Sequence, residues 1–168
     1  FPNLTDGDWL YGGAPEQIET TILDGRQGMM PPFGGNPEAV GGAAGAKEVA
    51  HYVRSLSGLA SDSILAQKGK ERFEKVCIAC HGADGKGNQA MGAPNLTDKV
   101  WLYGSREDTI VETITMGRTN QMPAHRERLG EAKVHLLAAY VYGLGGGVAP
   151  TAQAEAAAPA APADGAKK

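Results

Sequence analysis

Two cysteines, Cys77 and Cys80, stand three positions apart in this chain of 168 residues, and His81 follows the second directly. Few patterns restrict a fold as much. Two thiols at this spacing, at the mouth of a helix, both reach one edge of a flat macrocycle. A histidine immediately after them points its imidazole at the ring's centre. This is the attachment pattern of a c-type haem, with thioether bonds from the sulfurs and an axial bond from the histidine to iron. A redox dithiol and half of a zinc site are the competing readings. A thioredoxin-like dithiol needs an α/β sheet, and no convincing strand pattern is found in the chain. Zinc needs two further ligands at suitable spacing, and there is no second cysteine pair.

Composition agrees with a domain that borrows part of its core. Apolar residues make up 42%, aromatics only 6%, and there are 24 glycines. A chain of this kind buries little apolar surface of its own, and a bound macrocycle would add to it. The net charge of −3 carries no nucleic-acid footprint. The longest apolar stretch, Leu136 to Leu144, is about half of what a bilayer crossing needs. No charged-then-apolar signal segment opens the chain.

The chain also repeats itself. Pro2-Asn3-Leu4-Thr5-Asp6 and Trp9-Leu10-Tyr11-Gly12 return as Pro94-Asn95-Leu96-Thr97-Asp98 and Trp101-Leu102-Tyr103-Gly104, a shift of 92 residues. The same shift carries Ile18 onto Ile110, Ile22 onto Ile114, Gly25-Arg26 onto Gly117-Arg118 and Met30-Pro31 onto Met122-Pro123. Further on, a shift of 88 carries Tyr52-Val53 and Leu56 onto Tyr140-Val141 and Leu144. The expected organisation is residues 1–58 as the later part of a first domain, 61–147 as a complete second domain, and 148–168 as a disordered Ala/Pro-rich tail. The counterpart of the Cys77–His81 motif would fall before Phe1. The chain is therefore expected to be a fragment of a protein with two such motifs. The alternative is a first lobe that never carried the cysteines.

Apolar periodicity predicts helices over Lys47–Ser57, Ser63–Val76, Arg106–Met116 and Glu131–Tyr142, with Ser61 or Asp62 capping the second. Asn36–Ala46 and Gly82–Leu96 read as loops. Gly69 is expected to let another helix cross closely. The predicted class is all-α.

A second axial ligand must come from the far face of the ring. Met122 is favoured, because Pro123 stiffens the backbone behind it and its copy, Met30, holds the same place in the repeat. Met30 is then the expected ligand of a first haem, with Met29 beside it as competitor. Met91 and Met116 are expected to be core filler. His125 is near enough to Met122 in sequence to compete. His51 and His135 read as surface or packed helix residues. The second ring nitrogen of His81 should donate to a carbonyl, for which Pro94 is the candidate.

Together, Cys77-Ile78-Ala79-Cys80-His81-Gly82, Gly92-Ala93-Pro94-Asn95-Leu96-Thr97-Asp98, Trp101-Leu102-Tyr103-Gly104 and Met122-Pro123 resemble a class I cytochrome c domain. The doubled Pro-Asn-Leu-Thr-Asp…Trp-Leu-Tyr-Gly segment is similar to the di-haem subunit III (CcoP/FixP) of cbb3-type cytochrome c oxidases, over about residues 1 to 147. The resemblance implies tandem class I cytochrome c-like domains, the first truncated. It implies haem c covalently held by Cys77 and Cys80, with His81 and Met122 as axial ligands. It further implies a periplasmic site on the bacterial inner membrane, a donor cytochrome c and the other oxidase subunits as partners, and an anchor absent from this sequence.

Iron bound by both His and Met exchanges one electron and has no open position, so no catalytic site is expected within the chain. A haem enzyme with an exchangeable distal ligand and a soluble di-haem carrier are the alternatives. Arg26, Arg118, Trp9 and Trp101 recur at matching positions and are expected to face haem propionates. Residues 1–58 hold seven acids and three bases, against ten acids and eleven bases in 61–147. The excess negative charge of the first lobe could steer a basic donor.

Overall fold

A computed structural model describes residues 1–145; the tail assigned to 148–168 lies outside the described residues. In chain order the elements are α1 (Pro15–Asp24), β1 (Arg26–Met30), α2 (Pro37–Val40), α3 (Gly42–Leu56), α4 (Ser63–Val76), α5 (Ile78–His81), α6 (Glu107–Met116), β2 (Arg118–Met122), α7 (Arg126–Leu129) and α8 (Glu131–Leu144). Four correspond to the helices expected from periodicity. The loop expected at Asn36–Ala46 instead contains α2 and the first turn of α3, because Asn36 caps α2 through its side chain and Gly41 turns left-handed between the two.

The expectation of no strand is overturned. β1 and β2 pair antiparallel, with Arg26 opposite Met122 and Met30 opposite Arg118. Each is five residues long, mixes polar and apolar side chains, and finds its partner 92 residues away. Local patterning carries no trace of such a pair. The pairing is also symmetric: under the repeat, the Arg26–Met122 pair becomes the Arg118–Met30 pair. Gly25 and Gly117 end α1 and α6 with φ near 70°, and a Cβ on either would lie 2.3 Å from the Met122 carbonyl oxygen or 2.5 Å from that of Met30. Only glycine fits at these two crossings.

The strand crossing decides which helices pack together. One core joins Val40, Ala46, Val49, Ala50 and Val53 of α2 and α3 to Phe73 of α4 and Ile110 and Ile114 of α6. The other joins Ile18, Ile22 and Leu23 of α1 to Val134 and Ala138 of α8. Each core thus draws on both copies. The last helix of the first copy, α3, lies with the second copy's α4 and α6, while α8 lies with α1. After β1, the Phe33 amide donates to the Ile114 carbonyl at 3.0 Å. Its repeat counterpart after β2, the His125 amide, donates to the Ile22 carbonyl at 3.0 Å.

Three contacts set α4. At Gly69 an added Cβ would sit 2.0 Å from the Glu48 carbonyl oxygen, so α3 crosses there at backbone distance, as the sequence predicts. The Asp62 carboxylate accepts from the Ile64 and Leu65 amides at 2.9 Å, capping the helix. His51, buried on α3, accepts the Asp62 amide on Nδ1 at 2.9 Å. Because that amide can only donate, the ring proton sits on Nε2, which faces Glu107 at 3.1 Å. One imidazole therefore ties α3 to the starts of α4 and α6.

The same substitution at two helical glycines should act in opposite directions. Gly69→Ala forces α3 and α4 apart and is expected to destabilise by about 2–4 kcal/mol. Gly143→Ala meets nothing within 4 Å among the described residues and should stabilise by up to about 1 kcal/mol through helix propensity. Urea midpoints at unchanged m-value measure both.

Candidate haem-binding site

The Cys77–His81 segment continues α4 into one further turn. The Cys77 amide donates to Phe73 O at 2.8 Å, and the Cys77 carbonyl accepts from the amides of Cys80 (3.2 Å) and His81 (3.0 Å). Both sulfurs are free thiols, one helical turn apart. His81 Nδ1 lies 3.1 Å from the Pro94 carbonyl oxygen, which can only accept. The ring proton therefore belongs on Nδ1, and Nε2 keeps its lone pair for a metal. The loop after His81 folds back to make this contact: the Leu96 amide donates to Gly85 O at 2.7 Å and the Gly87 amide to His81 O at 2.8 Å.

Electrostatics separate the competing chemistries. Burial, reinforced by the neighbouring Cys80, pushes the Cys77 thiol up from 9.0 to about 11. A dithiol enzyme lowers the pKa of its attacking cysteine, so this thiol is poised the wrong way for redox exchange. Burial also lowers His81, and the Pro94 hydrogen bond opposes this only in part. A neutral imidazole is the form that binds iron. Among the described residues no three His, Cys, Asp or Glu side chains converge as a metal cluster, which leaves a zinc site without its further ligands.

A flat apolar ring fits what surrounds the turn. Cys77, Met30, Phe33, Leu96 and Trp101 all pack against the core of α2, α3, α4 and α6. The Phe73 ring lies 6.5 Å from that of His81 and 5.2 Å, edge-on, from Tyr52. Ile78 on the turn and Met91, Val100 and Leu102 on the loop are 36%, 52%, 43% and 44% exposed. These are apolar side chains that a haem edge would cover.

The two expected axial methionines are parted by the strand ladder. Met30, at the end of β1, packs against the same core as Cys77, whereas Met122 is 36% exposed and belongs to neither core. Met122 closes β2 rather than lying in an irregular loop. His125, the sequence competitor, has its backbone tied to Ile22 and Leu23 of α1. Met91 and Met116 are not core filler: they are 52% and 71% exposed, and Met29 is 73% exposed. His135 is exposed beside Glu19 at 3.2 Å.

The recurring arginines are engaged within their own copies. The Arg26 guanidinium lies 5.0 Å from the Tyr11 ring centre and donates to Thr21 Oγ1 at 2.9 Å. Arg118 repeats this with Tyr103 at 4.5 Å and Thr113 at 3.0 Å. The tyrosines are visible in the repeat, but only the fold assigns them as stacking platforms. Trp9 packs against the α1–α8 core, and its Nε1 is buried without a partner among the described residues. An acidic group such as a haem propionate in that lobe would satisfy it.

Residues 65–141 match the family described as cytochrome c oxidase, cbb3-type, subunit III. The cbb3-type cytochrome c oxidase subunit CcoP of Rubrivivax gelatinosus is 51% identical over 144 residues, which cover 86% of this chain and 46% of that protein. Subunit FixP of Bradyrhizobium sp. (strain ORS 278) is 49% identical over 156 residues, 88% of this chain and 53% of the relative. Subunit CcoP of Cereibacter sphaeroides is 42% identical, with the same coverage. The chain spans about half the length of these relatives. Among its described residues no helix is long and apolar enough to cross a membrane.

The burial of Cys77 gives a direct test. In the haem-free chain at pH 8, its alkylation should be about tenfold slower than in the same chain unfolded in denaturant. The thiolate fraction falls about a hundredfold, and the greater nucleophilicity of a more basic thiolate returns about tenfold of it. Mass-spectrometric peptide labelling over time measures the ratio.

Proposed function

We propose that this chain, which is homologous to subunit III of cbb3-type cytochrome c oxidases over most of its length, is an electron-transfer segment with a covalently bound haem c. Cys77 and Cys80 hold the ring through thioethers. His81 Nε2 binds the iron, with the imidazole aimed by the Pro94 carbonyl. When bound, the haem supplies a one-electron iron couple whose potential rises with a thioether ligand and an apolar setting. The chain would fix the ligands, and the apolar core of Val49 and Phe73, with Leu96 packed against it, would supply the apolar setting beside Cys77.

For the sixth ligand we favour Met30 over Met122. The observation that carries this choice is packing: the ladder holds the two methionines at its opposite ends, and Met30 packs against the core that Cys77 also packs against, whereas Met122 packs against neither core. By the same symmetry, Met122 is the ligand expected for a haem in the lobe of α1 and α8, where Trp9 Nε1 is buried and unpaired among the described residues. The two lobes are then tandem cytochrome c-like units that exchange their last strand and helix. The relatives' names as oxidase subunits support the remaining subunits as partners; a donor cytochrome c and a position on the periplasmic side of the inner membrane rest on the family resemblance alone.

The haem-loaded protein should carry one haem per chain by the pyridine assay and bind carbon monoxide slowly when reduced. Met30→Ala should abolish the methionine–ferric iron charge-transfer band, lower the reduction potential and open the iron to exogenous ligands. Met122→Ala should leave all three unchanged. The reverse pattern returns the ligand to Met122, a band that survives in both variants assigns the iron to another methionine, and its absence from the unsubstituted protein removes methionine ligation altogether.

A further inference from the structure

α8 has two apolar faces and, among the described residues, a partner for only one. Val134 and Ala138 are buried against α1, and Val141 packs with them. Leu136, Leu137, Tyr140 and Leu144 form a second stripe that is 71%, 39%, 66% and 36% exposed. A helix apolar on both sides is ordinarily enclosed on both, and a continuous stripe of this size marks a contact surface.

The repeat identifies what belongs there. The 88-residue shift sets α8 on α3. It places Val134, Ala138 and Val141 on Ala46, Ala50 and Val53, and His135 on Lys47. Lys47 reaches α6 at Glu107 (3.1 Å), as His135 reaches α1 at Glu19 (3.2 Å), so the two helices are oriented alike. The exposed residues Leu136, Leu137, Tyr140 and Leu144 then correspond to Glu48, Val49, Tyr52 and Leu56. On α3 these residues meet α4 and the loop beyond it. The Glu48 carbonyl lies under Gly69 and its carboxylate pairs with Arg72; Val49 is 1% exposed; Tyr52 meets Phe73 edge-on; Leu56 lies against Gly85. The open face of α8 is the counterpart of a face that α4 fills.

We propose that Leu136, Leu137, Tyr140 and Leu144 seat a helix of the α4 kind, supplied by the polypeptide upstream of Phe1. Such a helix has a small residue at the crossing and an aromatic residue one turn later, and it leads into a haem-attachment turn. Subtracting the 92-residue shift from α4 puts that helix before Phe1, and relatives about twice as long have room for it. Leucine stands where α3 has Glu48, so the incoming helix needs no counterpart of Arg72 and seats on apolar contact. The inference rests on the repeat and not on the choice of iron ligand, so either can fail alone.

The test compares the 168-residue chain with the polypeptide extended upstream through the counterpart of α4. Hydroxyl-radical footprinting at Leu136, Leu137 and Tyr140 should be strong in the shorter chain and at least about fivefold weaker in the longer one. Tyr140→Asp should leave the melting temperature of the shorter chain unchanged and lower that of the longer by more than about 5 °C. Equal footprints in the two overturn the proposal. So does a shorter chain that is already protected and sediments as a dimer, because a second copy would then be the occupant. A Tyr140→Asp effect of the same size in both chains assigns the residue to α8's own stability, with the same result.

Discussion

Two helices can touch at backbone distance only where no side chain stands between them, and α3 and α4 meet that condition at Gly69. Everything around the Cys77–His81 turn inherits its position from this crossing. With the Glu48 carbonyl pressed under Gly69, Tyr52 is placed against Phe73 one turn on. Phe73 in turn stands beside the His81 ring. The cap at Asp62 and the imidazole of His51 settle where α4 begins, so its last turn delivers both thiols and the histidine at a defined height on α3. Apolar area alone would let the helices slide; the glycine contact and the polar pins remove that freedom.

The second organising feature is the exchange of partners across β1 and β2. A tandem repeat could fold as two independent beads. Here the first copy's final helix completes the second copy's core, and the reverse holds at α1 and α8. Each core is therefore built from segments far apart in sequence. Such pairing costs loop-closure entropy and makes the two lobes depend on each other for stability.

The helices and the attachment turn were legible because their signals are local. Apolar spacing marks the inner faces of α3, α4, α6 and α8; Asp62 is a good cap; Gly69 interrupts a helix that otherwise has no reason to carry glycine. The Pro94 carbonyl was predictable because the loop after His81 must return under the ring. The strands were not legible. Arg26–Met30 and Arg118–Met122 have little intrinsic strand character, and their pairing is decided by a partner that no window of sequence contains. The same gap hides where Met30 and Met122 go. Repeat register shows that they are equivalent, but amphipathic patterning says only that a face is buried, never against which neighbour. Met91 and Met116 are exposed for a related reason: their residue type suits a core, yet none of the described elements passes over them.

The ladder has one more consequence, for how such a chain can drift. The sulfurs of Met30 and Met122 hang on the same short ribbon, at its opposite ends and on opposite strands. Adding a residue to either strand would move one sulfur and misplace the arginine facing it, so the error would surface in both lobes together. Length changes in this ribbon are tolerable only as matched pairs. The two halves of the repeat are thereby bound to a common gauge, however far the rest of their sequences diverge.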